Sequence, residues 1–135
     1  MTRLLALFAA LMLASPAFAG EAKVPETPIA EVETGLASGD CYVFDANSSS
    51  TREKHGTIEG ATLLTSYSDY DLALLPKAKD ASVVFFCGST KCTASDKAAV
   101  RAQEAGYSKV SVMREGIKGW KDAGKATVPV APKKS

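Results

Sequence analysis

The chain has no excess of charge of one sign, an odd and small number of cysteines, a single histidine and, past its first residues, no long apolar run. Its 16 basic and 15 acidic residues give a net charge of +1, so neither a nucleic-acid surface nor an anionic-membrane surface is indicated. Three cysteines cannot all pair within one chain, and a domain held together by a disulfide scaffold is excluded. The lone His55 stands far in sequence from Cys87 and Cys92. Two thiolates alone suit at most a soft Cu(I) ion, so no metal centre and no cofactor are expected. A cysteine phosphatase needs an arginine six positions after its nucleophile to grip a phosphoryl group bidentately; after Cys87 that position is Thr93. No internal repeat is present, and no apolar run after the N-terminal segment is long enough to span a membrane.

That N-terminal segment has the form of a secretory signal peptide. Arg3 supplies a positive charge, Leu4 to Ala14 an apolar stretch of about eleven residues, and Ala17-Phe18-Ala19 a small-x-small cleavage pattern. A membrane span needs about twenty residues. Residues 1–19 are therefore expected to be removed, leaving a mature chain in the periplasm or outside the cell, with no membrane attachment after cleavage. Losing Arg3 leaves basic and acidic residues equal at 15.

What remains suffices for one domain with one core. Residues 20–26 are expected to be a linker, residues 27–128 the domain, and residues 129–135 a tail, with Val128 also on the loose side of that boundary. Thr27-Pro28 followed by Ile29, Val32 and Leu36 predicts a first helix with Thr27 as its cap, closed at Gly39. Cys41 to Asp45 predicts a buried strand, and Asn47 to Ser50 a capped short helix ending near Lys54, before Gly56. Thr62 to Leu64 predicts a short strand, and Asp69 to Leu75 a helix stopped by Pro76. Ser82 to Phe86 predicts a strand. A helix with small inward residues from about Ala94 to Gly106 follows, capped by Thr93 with Asp96. Lys109 to Met113 predicts the last strand, and Gly116 to about Gly124 a last helix. Strands alternating with helices indicate an α/β fold with a central parallel sheet flanked by helices, whose ligand sites lie at the C-terminal strand ends.

The organising stretch is Val83-Val84-Phe85-Phe86-Cys87-Gly88-Ser89-Thr90-Lys91-Cys92-Thr93. It reads as a strand, a tight loop and a helix start, with a thiol at the turn. Loop N–H groups can converge on one centre, and the helix N-terminus adds roughly half a positive charge. Cys87 is therefore expected to favour its thiolate, although a strand cysteine can also be plain core. Cys92 has two readings, a small residue filling the loop's base or a second thiol close enough to pair with Cys87. Lys91 is either solvated or a partner for a bound anion. Cys41, at the far end of its strand from Asp45 and roughly 13 Å away at about 3.3 Å per residue, reads as core. Asp45 is expected to order the surrounding loops, and the charged run Arg52 to His55 to be a solvated helix end.

Four pieces in order resemble the rhodanese-like sulfurtransferases: Val43-Phe44-Asp45; Gly56-Thr57-Ile58-Glu59-Gly60-Ala61; Val84 to Cys87; and Gly106 to Val110 with Glu115-Gly116-Ile117 and Trp120. The resemblance implies a single rhodanese-like domain and a catalytic loop from Cys87 to Cys92, with Cys87 carrying a persulfide sulfur. Gly88, Ser89, Thr90, Lys91, Cys92 and Thr93 would then bind the substrate. It further implies transfer of a sulfane sulfur from a donor such as thiosulfate to a thiophilic acceptor, the partner being a small sulfur-containing anion or a protein thiol or persulfide, and the chain a monomer. The alternative is a thiol-disulfide exchange or redox-sensing module on the same two cysteines. Asn47 replaces the family's arginine, Thr57 its signature histidine, Glu59 its proline, and Cys92 the usual arginine or threonine. The leader reading predicts that the mature protein recovered from export-competent cells starts at Gly20, as N-terminal sequencing would show; an intact segment 1–19 on the cytoplasmic protein would refute it.

Overall fold

In the computed structural model, residues 24–132 are described; the signal-peptide reading of residues 1–19 lies outside them. Four strands, β1 (Cys41–Asp45), β2 (Thr62–Leu63), β3 (Ser82–Phe86) and β4 (Lys109–Met113), form one sheet in the order β2-β1-β3-β4. All pairings are parallel. Helices α1 (Ile29–Ser38), α2 (Ser49–His55), α3 (Ala94–Glu104) and α4 (Gly116–Asp122) connect and cover them.

Successive side chains of a strand point to opposite faces, so a strand covered on both sides must be apolar at nearly every position. Val83 and Phe85 enter one core with Phe44, Tyr70 and the small face of α3, Ala98, Ala99 and Ala102. Val84 and Phe86 enter the other with Val43, Val32 of α1, and Ile117 and Trp120 of α4. Alanine lets α3 lie close to the sheet. Phe85 stacks on Phe44 with ring centroids 5.3 Å apart, and the buried Tyr70 hydroxyl donates to the Ala98 carbonyl at 2.7 Å. On the opposite face, a Cβ at Gly35 would stand 2.6 Å from the Cys41 sulfur, which shows how tightly α1 rests on β1.

From β1 the chain steps outward to β2, then returns to β3 on the other side of β1. The C-terminal ends of β1 and β3 thus form the point where strand order reverses, which in open parallel sheets leaves a crevice. Asp45 pairs in register with Phe86, so the Asp45 and Cys87 positions meet there.

Several local expectations give way to tertiary contacts. The cap of α1 is Pro28, with no side-chain hydrogen bond; the Thr27 hydroxyl bonds Ser111 instead. Thr93 caps α3 by position only, because Asp96 is drawn off by Arg114 in a bidentate pair at 2.6 and 2.7 Å. The expected helix over Asp69 to Leu75 shrinks to one 3-10 turn, Leu72–Leu74. Residues 24–26 are not loose: Val24 is buried, and the Pro25 carbonyl accepts from Val112 while Thr27 donates back to it, each at 2.9 Å, so the segment runs along the free edge of β4. Val128 is tied as well, exchanging two 2.9 Å backbone hydrogen bonds with Thr57.

Candidate active site

Burying a carboxylate is unfavourable unless its oxygens are hydrogen-bonded and its charge is met. Asp45, at the end of β1, is fully buried. Its Oδ1 accepts from the Asn47 backbone N–H at 2.8 Å and its Oδ2 from the Thr57 hydroxyl at 2.6 Å. Arg52 brings its guanidinium Nε to 3.4 Å from Oδ1, while its terminal nitrogen donates to the carbonyls of Asp45 and Leu64 at 2.7 and 2.8 Å. One ion pair thus ties α2, the turn at Thr57 and the exit of β2 to the end of β1. Arg52 is buried, which corrects the reading of residues 52–55 as a wholly solvated helix end. The signal for it in the sequence is indirect: a strand that ends buried in Asp45 needs a counter-cation, and Arg52 is the first after it. Thr57 occupies the signature histidine's position and serves the aspartate rather than the thiol.

Cys87 follows β3 and is 2% exposed. Its sulfur lies 3.4 Å from the Cys92 carbonyl and 3.3 Å from the hydroxyl of Ser95, in the first turn of α3. Ser95, buried, escaped the sequence reading; its signal is placement in the first turn of the helix that starts just beyond the loop. The loop is curled by a hydrogen bond from the Cys92 N–H to the Ser89 carbonyl at 3.0 Å, and held from behind by α4, whose Ile117 and Lys118 N–H groups donate to the carbonyls of Cys87 and Gly88 at 2.8 and 3.0 Å. Gly116 permits that approach. Its φ is +66°, and a Cβ there would stand 2.6 Å from the Cys87 carbonyl oxygen.

The amides so turned inward serve the other thiol. The backbone N–H groups of Gly88 and Ala94 and the Cys87 thiol favour the ionised form of the Cys92 sulfur. Burial works against its thiolate, but these donors outweigh it and the Cys92 pKa is lowered. Cys87 moves the opposite way, raised by burial and then by the hydrogen bond it gives to Cys92, against a smaller lowering by Ser95. These directions run against the expectation that Cys87 favours its thiolate, with burial of the Cys87 thiol the largest cause. The physical reason is that the amide cradle holds the Cys92 sulfur, while Cys87 lies beneath it, shut from water.

A cavity of about 370 Å³ opens beside Cys92, lined by Asn47, Ser48, Thr51, Thr65, Ser66 and Tyr67 among others, with no Asp, Glu, Lys or Arg in its wall. Asn47 is nearly buried, and its side-chain NH2 has no hydrogen-bond partner. Gly88, half-buried, lies against it: a Cβ there would be 3.7 Å from the Asn47 amide oxygen. Ser89 is half-buried, and Thr90, Lys91 and Thr93 are exposed. Lys91 enters no ion pair among the described residues and lines no part of this cavity. A larger cavity, about 420 Å³, lies at the other end of the strands around Cys41 and Ser82, away from the loop. Trp120 and Tyr107 pack: their polar atoms donate to the carbonyls of Ala126 and Pro76 at 2.9 and 2.6 Å.

Comparison with known proteins bears on this geometry. The model of the rhodanese-like domain matches residues 29–123. Among solved structures, a human single-domain sulfurtransferase shares 24% identity at a TM-score of 0.58, over 73% of this chain and 96% of its own. Thiosulfate sulfurtransferase from Pseudomonas aeruginosa shares 21% at 0.61, over 76% of this chain and 20% of its own. A Rhodopseudomonas palustris protein of unknown function, described as a possible tyrosine phosphatase, shares 23% at 0.64, over 78% of this chain and 85% of its own. At these identities the likeness is one of fold. No curated protein matches at a significant level.

Breaking a buried ion pair by removing one partner costs about 3–5 kcal/mol. Arg52→Ala is expected to lose stability in that range in chemical denaturation, and the double variant with Asp45→Asn to lose less than the sum of the singles. Additive losses would show that the two side chains are not coupled.

Proposed function

The chain belongs to the rhodanese-like domain family, and we propose that it is an exported sulfurtransferase that takes a sulfane sulfur from a thiosulfate-like donor onto Cys87. One observation carries the reading. The loop curls around the Cys87 sulfur, with the Cys92 carbonyl at 3.4 Å and the Ser95 hydroxyl at 3.3 Å, and its Gly88 and Ala94 N–H groups favour an anionic sulfur there. An outer persulfide sulfur on Cys87 needs support of that kind, because it is an anion held by dipoles that require no reorganisation.

The resting proton arrangement sets the order of steps. Burial pushes the Cys87 thiol up while its neighbours pull the Cys92 thiol down, so in this reading the Cys92 thiolate acts as general base toward the Cys87 proton. Once the proton passes, the Cys87 thiolate attacks the outer sulfur of thiosulfate, the S–S bond of the donor breaks, and sulfite leaves with the bonding pair. Cys92, now a neutral thiol, no longer needs the two amides, and the outer sulfur of the new persulfide takes them over. Ser95, 3.3 Å from the Cys87 sulfur, donates to the attacking thiolate. The unpartnered NH2 of Asn47 and the hydroxyls of Ser48 and Thr51 offer the donor's sulfonate oxygens uncharged hydrogen bonds in the cavity beside Cys92. A phosphoryl-transfer reading has no support at Thr93, which offers no guanidinium six positions after Cys87.

Sulfite release tests this directly. Reduced protein freed of reductant and mixed with thiosulfate is expected to release about one sulfite per chain in a first turnover, and Cys87→Ser to release none. Equal sulfite from Cys87→Ser, or none from wild type, would remove Cys87 as the sulfur carrier.

A further inference from the structure

We propose that Cys92 discharges the Cys87 persulfide as sulfide, making this domain a sulfane-sulfur reductase whose product is hydrosulfide and whose spent form is a Cys87–Cys92 disulfide. The proposal deepens the sulfurtransferase reading and rests on it.

Three observations converge. The loop curls so that the Cys92 carbonyl lies 3.4 Å from the Cys87 sulfur, five residues apart in the chain. Both thiols are free. Cys92 is the half-buried member that lines the cavity, whereas Cys87 is 2% exposed and lines none of the cavities described above. An acceptor entering that cavity therefore meets Cys92 before it can reach the persulfide. Finally, the amides of Gly88 and Ala94 are one set of donors for two claimants. Once Cys92 has taken the Cys87 proton and ceded those amides to the outer persulfide sulfur, its thiol is left beside the loaded Cys87, whose sulfur lies 3.4 Å from the Cys92 carbonyl.

The step balances without an outside oxidant. The Cys92 sulfur attacks the inner persulfide sulfur, Cys87 Sγ; the bond from Cys87 Sγ to the outer sulfur breaks; and the outer sulfur departs as hydrosulfide with the electron pair and the proton from Cys92. The two thiols are oxidised to one disulfide and the sulfane sulfur is reduced to sulfide. Over both steps, thiosulfate and two thiols give sulfite, hydrosulfide and a disulfide. Each further round requires a dithiol reductant to reopen the pair, so the partner class implied is a dithiol-disulfide oxidoreductase or a small dithiol.

The test follows the sulfur. Full-length mature protein is reduced, freed of reductant without air, and given thiosulfate; sulfite, sulfide and intact mass after thiol alkylation are read together. Wild type is expected to release about equal amounts of sulfite and sulfide, and to end with Cys87 and Cys92 joined and protected from alkylation. Cys92→Ser and Cys92→Ala, lacking the general base, are each expected to release sulfite more slowly than wild type but up to one per chain at higher pH, to release no sulfide, and to retain one added sulfur atom on Cys87. Sulfite without sulfide from wild type, with the sulfur retained and Cys92 open to alkylation, overturns the reductase step and leaves the sulfurtransferase reading standing. Sulfide released equally by both Cys92 variants also overturns it. Absence of sulfite from wild type overturns both.

Discussion

The backbone N–H groups of Gly88 and Ala94 favour an anionic sulfur at Cys92, in a loop whose Cys92 carbonyl lies 3.4 Å from the Cys87 sulfur. A hydrogen bond to a charged group contributes about 1.5–3 kcal/mol, and one pKa unit is about 1.4 kcal/mol. Two amides with the Cys87 thiol as a third donor therefore outweigh the desolvation of a half-buried Cys92. Cys87, fully shut in and acting as a donor in that set, has no comparable compensation. Which thiol is ionised at rest, which acts as base and which sulfur is displaced all derive from the ownership of that one position.

The scaffold's role is to keep the position fixed while both strand ends stay buried. Behind the loop, α4 captures the carbonyls of Cys87 and Gly88, which turns the peptide planes and aims N–H groups the other way. That contact exists only because residue 116 lacks a side chain and takes a positive φ. In front, the Asp45–Arg52 pair holds α2 and the Thr57 turn at the end of β1, and so places Asn47 and Ser48 on the cavity wall. At the start of α3, Arg114 engages Asp96 on both oxygens. Asp96 is a nearby charge that opposes the Cys92 thiolate, and a bidentate guanidinium neutralises it.

The strands were legible because burial on both faces leaves an unmistakable pattern. Cys41–Asp45, Ser82–Phe86 and Lys109–Met113 stand where their β-branched and aromatic runs place them, and the alternation with helices gave the parallel sheet. What escaped the sequence depends on partners distant along the chain. Thr27 and Asp96 have the right chemistry for caps, but Ser111 and Arg114 compete for them across the fold. Arg52 sits in a run of charges, and only the three-dimensional approach of β1 shows that it is buried. The direction in which each thiol is shifted was not legible for the same reason. A cysteine at a strand end before a helix start predicts an acidic thiol somewhere in the loop; whether it is Cys87 or Cys92 depends on peptide-plane orientations set by α4, more than twenty residues later.

The most direct test of this ownership is the pH titration of thiolate ultraviolet absorbance in reduced wild type, Cys92→Ser and Cys87→Ser. The structure predicts that the first thiolate of the wild-type pair forms below the ordinary cysteine range and belongs to Cys92. It should vanish in Cys92→Ser, and in Cys87→Ser it should persist but move upward in pH, because the amides remain while the thiol donor is lost. An acidic thiolate that survives unchanged in Cys92→Ser and disappears in Cys87→Ser would assign the cradle to Cys87 and contradict the account.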